Sequence, residues 1–174
     1  MMSIPLTSMR QSRSIRSNEY YDILPSPIGN IYFVFCADCL CEISFEKPRS
    51  IMPRQTASSS EALEELREYF NNGRKSFNIR TRFNEGTEFE REVWEALLWI
   101  PYGETRTYKW LAEKIGKPRS SRAVGRALGK NPIPIIFPCH RIIESDGSIG
   151  GYTPGTDIKR RLLEIEYYTA LAAR

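Results

Sequence analysis

At 174 residues, 41% hydrophobic and 26% charged, the chain can bury a core as one domain or two small ones, which excludes a peptide held together by disulfides and a polar, disordered chain. No apolar run approaches the ~20 residues of a membrane span, and no apolar stretch follows a basic start, so a cytoplasmic protein (nuclear in a eukaryote) that touches no membrane is expected. Net charge is only +4, but nine Lys or Arg and a single acid, Glu113, lie between Thr105 and Arg141, a local excess suited to phosphates.

Residues 1–18 carry Arg10, Arg13 and Arg16, several serines and no acid, and read as a flexible tail. Tyr20 to Leu24, Ile31 to Cys36 and Leu40 to Phe45 are short runs of aromatic and branched residues separated by turn sequences, the pattern of an antiparallel meander. Ser58 and Glu61 fit a capping box ahead of Leu63, Leu66 and Phe70, so a helix is expected up to Gly73, with a short strand from Phe77 to Arg80. This makes an N-terminal α/β domain, residues 19–84, and the boundary falls at Asn84-Glu85-Gly86.

From residue 85 to 174 the pattern turns helical. Thr87 and Glu90 form a second capping box before Phe89, Val93, Leu97 and Ile100, and Pro101 ends that helix. Thr107 caps a helix stopped by Gly116, and Ser120 or Ser121 caps the next, which ends at Gly129. Two short helices around a tight turn make a helix-turn-helix candidate, or a plain helical hairpin. The second helix combines Arg122 and Arg126 with the small residues Ala123, Gly125 and Ala127, which permit close approach to a partner. The prolines 132, 134 and 138 then make a rigid, non-helical segment that leads into Cys139-His140-Arg141. A polar loop from Asp146 to Gly155 precedes a last helix, for which Asp157 is the expected cap. The fold class is therefore α+β.

Cys36, Cys39 and Cys41 crowd one strand pair, and Cys139 stands far from them. The three lack a fourth nearby ligand for zinc, so they are expected to pack as small hydrophobes, with no metal and no cofactor. Cys139 has the chain's single histidine beside it, and a histidine can help make a thiolate nucleophile. In an extended segment neighbours point to opposite sides, so a water relay between them is an alternative to direct contact. An orienting acid is also needed, and Glu164, Glu166 and Asp146 are candidates. A buried structural cysteine beside a satisfied histidine explains these two residues as well.

The run Ile135-Ile136-Phe137-Pro138-Cys139-His140-Arg141-Ile142-Ile143 closely resembles the active-site signature of the O6-alkylguanine-DNA alkyltransferase family. The resemblance extends through Ile100-Pro101-Tyr102-Gly103-Glu104-Thr105, Arg122-Ala123-Val124-Gly125, Asn131-Pro132 and Gly150-Gly151-Tyr152, and more faintly to Pro27-Ile28-Gly29. It implies a ribonuclease H-like N-terminal domain and a winged-helix-like C-terminal one. The implied activity is stoichiometric, irreversible transfer of an alkyl group from O6-alkylguanine in DNA, with O4-alkylthymine a second candidate substrate.

The resemblance makes Cys139 the alkyl acceptor, His140 a base acting through water, Glu166 its holder and Asn131 a hinge residue. Arg122 would fill the gap of a flipped nucleotide, and Tyr108 would press on the adjacent phosphate. Tyr152 and Thr153 would line the guanine pocket, and the carbonyls of Cys139 and Ile142 would recognise the guanine amino group. Ala123, Gly125, Arg126 and Lys159 complete the expected substrate and DNA-binding set, Arg126 on its charge, on a monomer bound to double-stranded DNA through the minor groove. An O6-alkyl carbon is out of reach inside a stacked duplex, so extrusion of the base is required. Phosphate contacts from Lys109, Lys114, Arg119, Arg126 and Lys130 are inferred from charge alone. Thr153-Pro154 departs from the commonest pair after the pocket tyrosine. Three other readings are a non-catalytic lesion sensor, a helix-turn-helix regulator and a cysteine hydrolase. The first replaces the reactive cysteine, the second leaves Cys-His-Arg unexplained, and the third needs an oxyanion hole that the sequence does not display.

Overall fold

The computed structural model describes residues 19–48, 53–54 and 60–172. Three strands, β1 (Glu19–Ser26), β2 (Gly29–Cys36) and β3 (Cys39–Ser44), form the expected antiparallel meander in the order β1-β2-β3. The two-residue turn between β2 and β3 places Ala37 at φ +56°, and a register shift at Val34/Phe35 bends the central strand. One face of the sheet carries Leu24, Ile31 and Phe33 against Leu63, Leu66 and Tyr69 of helix α1 (Ser60–Asn72). Each such side chain, taken fully out of water, contributes about 1.5–3 kcal/mol. The Ser58 capping box and the tail 1–18 lie outside the described residues.

The strand expected from Phe77 to Arg80 does not form. Residues 73–80 are irregular, and pairing shrinks to a single parallel bridge between Leu40 and Thr81. The cause lies at the edge of β3, whose hydrogen-bonding groups are divided between two segments. Leu40 exchanges bonds with Arg80 and Arg82, whereas the Ile43 N–H donates to the Pro132 carbonyl at 2.8 Å. Neither segment can extend a ladder, yet together they cover an edge that would otherwise be open to pairing. The second contact also fixes the approach to Cys139 against the sheet.

Helix α2 (Glu88–Ala96) starts with the predicted box: the Thr87 hydroxyl accepts from the Glu90 N–H, and the Glu90 carboxylate accepts from the Thr87 N–H. It continues as a 3-10 turn, Leu97–Trp99, and stops before Pro101. A two-residue strand β4 (Arg106–Thr107) leads into α3 (Tyr108–Lys114), capped by Thr107, and then α4 (Ser121–Leu128). Gly116 leaves α3 at φ +71°, so the two helices turn tightly on one another. Trp94 of α2 is buried and donates from Nε1 to the Ala127 carbonyl at 2.8 Å, which sets α4 in place. Helix α5 (Thr156–Ala172) begins one residue before the expected cap. Asp157 sits in its first turn and pairs with Arg160 at 3.0 Å. Among the described residues no helix is long and apolar enough to cross a membrane.

Candidate active site

The segment 131–138 is rigid, as its prolines require, and it is buried. Ile133, Ile135, Ile136 and Phe137 all belong to the core. Asn131 ties the segment together: its Oδ1 accepts from the Ile133 N–H at 3.1 Å, and its Nδ2 donates to the Phe137 carbonyl at 2.8 Å. Ile135 is held at φ +75°, a left-handed conformation that a β-branched side chain strongly disfavours. Strain of this kind persists only where the surroundings over-determine the backbone, and it sits four residues ahead of Cys139.

Cys139 does not lie in an extended segment. It opens a 3-10 turn, Cys139–Arg141, that runs into β5 (Ile142–Ile143), paired in parallel with β4. The turn buries all three residues in succession. Cys139 is 7% exposed and lines a cleft of about 1200 Å³ together with Asn131, Tyr152 and Thr153 and with Val34 and Ile43 of the sheet. Burial pushes its thiol pKa up, and the Asn131 Nδ2 donor, 3.1 Å from Sγ, works against that shift. The resting thiol is therefore protonated at neutral pH and needs a base.

His140 is fully buried, and its Nε2 lies 2.8 Å from Glu166 Oε1. A carboxylate can only accept, so Nε2 carries the proton and Nδ1, which has no hydrogen-bond partner, is left as an acceptor. Burial lowers the imidazole pKa despite the opposing pull of Glu166, so the ring is neutral and basic. Glu166 is the orienting acid among the three candidates. Glu164 lies along the helix paired with Arg161, and the Asp146 carboxylate accepts from the Ser148 N–H. Burial alone would raise the Glu166 carboxyl, but His140 and Arg141 outweigh it and hold the pKa well below the usual range. Arg141 grips it with two parallel bonds, Nε to Oε2 and Nη2 to Oε1, both 2.9 Å, and donates Nη1 to the Ile100 carbonyl. The Gly103 N–H and the Tyr69 hydroxyl add two further donors, at 3.0 and 2.7 Å.

Tyr108 stands at the start of α3 with its ring 3.6 Å from where a Cβ on Gly125 would lie, an ordinary packing distance that brings α3 and α4 together. Tyr152 is half-buried with its hydroxyl shut off from solvent beside Cys139, and desolvation together with the neighbouring Cys139 raises its pKa well above normal. The Thr153 hydroxyl is committed to the Gly129 carbonyl at 3.0 Å, which clips the loop 150–155 to the end of α4. Ala123 is half-buried on α4, while Arg122 and Arg126 are exposed one turn apart. Lys159, expected among the DNA-binding residues, is buried. Its Nζ donates to the carbonyls of Ile142 (2.6 Å) and Gly151 (3.3 Å), so it braces the pocket wall and cannot reach a phosphate.

The basic excess thins out once the residues are placed. Arg106, Lys109, Lys117, Lys130 and Arg141 face Glu104, Glu113, Glu92, Glu90 and Glu166 respectively. Lys114 sits over the Trp99 ring at 3.8 Å. Among the described residues Arg119, Arg122 and Arg126 make no ion pair, and all three are exposed around α4. Of the five inferred phosphate contacts, Lys130 and Lys109 thus already face acids and Lys114 an aromatic ring. Sequence reading missed Tyr69, whose place on the apolar stripe of α1 looks like ordinary core. It placed Arg141 in the signature run and the basic excess but gave it no role beside Glu166. In the sheet, Cys36 and Cys41 are buried, all four cysteines are free, and burial raises the Cys41 thiol to about 12.

Two family models match the chain. Residues 88–168 fit the DNA binding domain of 6-O-methylguanine DNA methyltransferase, and residues 19–83 fit its ribonuclease-like domain. A methylated-DNA–protein-cysteine methyltransferase of Methanosarcina barkeri is 47% identical over 153 residues, covering 84% of this chain and 96% of that protein. The protein of the same name from Mycobacterium bovis is 40% identical, covering 84% and 92%. Among solved structures, the Mycobacterium tuberculosis OGT in complex with DNA superposes with a TM-score of 0.80 at 39% identity, covering 86% of this chain and 94% of that one. The O6-methylguanine-DNA methyltransferase of Pyrococcus kodakaraensis does so with a TM-score of 0.63 at 26% identity, covering 84% and 98%. With both units matched in order, and relatives aligned over nearly their whole length, the chain belongs to the methylated-DNA–protein-cysteine methyltransferase family.

Proposed function

We propose that the chain repairs DNA directly, by moving an alkyl group from O6-alkylguanine onto Cys139. The observation that carries this reading is a pair of hydrogen-bonded groups on adjacent residues of one turn, Asn131–Cys139 lining the cleft and His140–Glu166–Arg141 buried beside it. A protonated thiol held by Asn131 sits beside a neutral imidazole with a free Nδ1. When the lesion enters, His140 takes the thiol proton through a bridging water, and Glu166 stabilises the imidazolium. Sulfur attacks the alkyl carbon, the S–C bond forms as the C–O6 bond breaks, and the electron pair passes to the guanine. The proton lost by sulfur ends on that base, which returns to its keto form. The thioether offers no route of hydrolysis, so each molecule reacts once.

DNA is the partner, and the residues around α4 suit the minor groove of a duplex bound by a single copy. Exposed Arg122 fills the space left by the extruded base, and Arg119 and Arg126 neutralise phosphates. Half-buried Ala123 and Gly125 keep the helix face low enough to approach the groove floor. Tyr108 turns the nucleotide outward, and Tyr152 with the carbonyls of Cys139 and Ile142 receives the guanine. Lys159, bonded to Ile142 and Gly151, keeps that wall in position. The division of labour falls at residues 84–86, with the N-terminal unit buttressing the approach to Cys139 through Pro132.

Mass spectrometry of the intact chain and its peptides, after incubation with duplex DNA containing O6-methylguanine, tests the reading. One methyl on Cys139, saturating at one per chain, is expected, and Cys139→Ala should lose the adduct while keeping DNA binding. No adduct with selective lesion binding would point to a sensor, and neither adduct nor selectivity to a regulator.

A further inference from the structure

Among the described residues, the Tyr69 hydroxyl makes the hydrogen bond from α1 to the charged centre of the site. It donates to Glu166 Oε1 at 2.7 Å, across 97 residues of sequence. The same oxygen accepts from His140 Nε2 at 2.8 Å and Arg141 Nη2 at 2.9 Å. One carboxylate oxygen offers roughly two lone pairs, so three donors compete for it. Tyr69 cannot yield its place. Its ring is fully buried and clamped edge-on by Phe70 at 5.0 Å and Tyr102 at 5.7 Å, with Phe77 at 5.9 Å. A tyrosine serving only to fill the core could satisfy its hydroxyl on any backbone carbonyl nearby. This one spends it on the carboxylate that holds the histidine.

We propose that Tyr69 is a positioning residue for the transfer reaction, whose hydroxyl draws charge from Glu166 Oε1 and so limits how strongly that carboxylate pulls on His140. The proposal rests on the alkyl-transfer reading. The groups that face the imidazole are Glu166 and Lys159 from α5 and Arg141 and Cys139 from its own turn, and Tyr69→Phe leaves all of them in place. Without the tyrosine donor, Oε1 carries more charge toward His140, and the ring holds a proton more tightly. Only the neutral ring can accept the thiol proton, so the acid side of the rate profile moves to higher pH. The N-terminal unit thus tunes the base of a reaction carried out by the other unit.

The test is single-turnover methylation of Cys139 from O6-methylguanine duplex, measured from pH 5 to 9 for the wild-type chain and Tyr69→Phe. The variant keeps the ring, and Glu166 keeps four donors, so the fold is expected to survive. The two rates should agree within about twofold above pH 8, and the variant should fall behind by about threefold or more near pH 5.5. The chain has one histidine, so its imidazole NMR signal is unambiguous, and its titration should move upward in the variant. An equal loss at every pH, with an unmoved histidine titration, means a structural role and overturns the proposal. An unchanged profile overturns it too. No methyl on wild-type Cys139 would bring down the transfer reading and this inference together, whereas wild-type transfer with an unmoved variant profile removes this inference alone.

Discussion

Replacing Glu166 with Gln tests the charged centre most directly. The carboxylate is fully buried and receives five donors, from His140, Tyr69, Gly103 and, twice, Arg141. An amide of the same shape keeps one acceptor oxygen but turns an NH2 toward donors already in place. It also leaves the Arg141 guanidinium buried with only the Ile100 carbonyl and a neutral partner. Breaking one side of a buried pair costs about 3–5 kcal/mol. That is a large share of the roughly 5–15 kcal/mol by which domains are stable. With a urea slope of about 2 kcal/mol per molar, the midpoint should fall by about 1.5–2.5 M. Trp94, buried and bonded to Ala127, reports the transition by fluorescence.

Acid adds a second signature to the same variant. The folded His140 pKa lies below its ordinary 6.5, so its contribution is complete above that pH and fades as the pH falls. Glu166 is depressed below its ordinary 4.5, so its contribution is present above that value and lost below it. Wild-type stability should therefore decline from about pH 6.5 and more steeply below 4.5, and the Gln variant should lack Glu166's share of the second decline, so the curves draw together in acid. A midpoint within about 0.5 M of wild type at pH 7.5, or parallel curves below pH 4.5, would show that the carboxylate charge does not hold this site together.

Ile135 and Arg122 supply two more tests. At φ +75° in the core, Ile135→Ala loses about 2–5 kcal/mol for the cavity and keeps the backbone strain, whereas Ile135→Gly relieves it. The Gly variant should melt no lower than the Ala variant, and the reverse order in thermal unfolding would remove the claim of strain. Arg122→Ala should slow methyl transfer from duplex DNA at least tenfold more than reaction with the free base O6-benzylguanine, since only the duplex needs an extruded nucleotide replaced (about 1.4 kcal/mol of insertion energy). Equal losses on both substrates would count against insertion.

Elements governed by neighbouring residues were legible without coordinates. The three strands, the Thr87 and Thr107 caps, the stop at Gly116 and the rigidity of 131–138 follow from periodicity and turn chemistry within a few residues of each site. The candidate pair Cys139 and His140 was legible because the two are adjacent and belong to a specific motif, and Glu166 came with the resemblance that this motif carries. Long-range decisions were not. The strand at 77–80 lost its partner because β3 divides its edge with Pro132, a residue about fifty positions further on. Lys159 was placed in the substrate and DNA-binding set, and Arg141 was counted in the basic stretch, until burial turned one into a brace for two carbonyls and the other into the clamp on Glu166. Tyr69 carried no signal, since a tyrosine on an apolar helix stripe satisfies every local rule for core. The sequence by itself determined the family and most of the elements, and it singled out Cys139 as the candidate nucleophile. Only the tertiary structure decided which charges are free to meet DNA and which are spent inside, because desolvation and partner geometry depend on residues that chain spacing does not bring together.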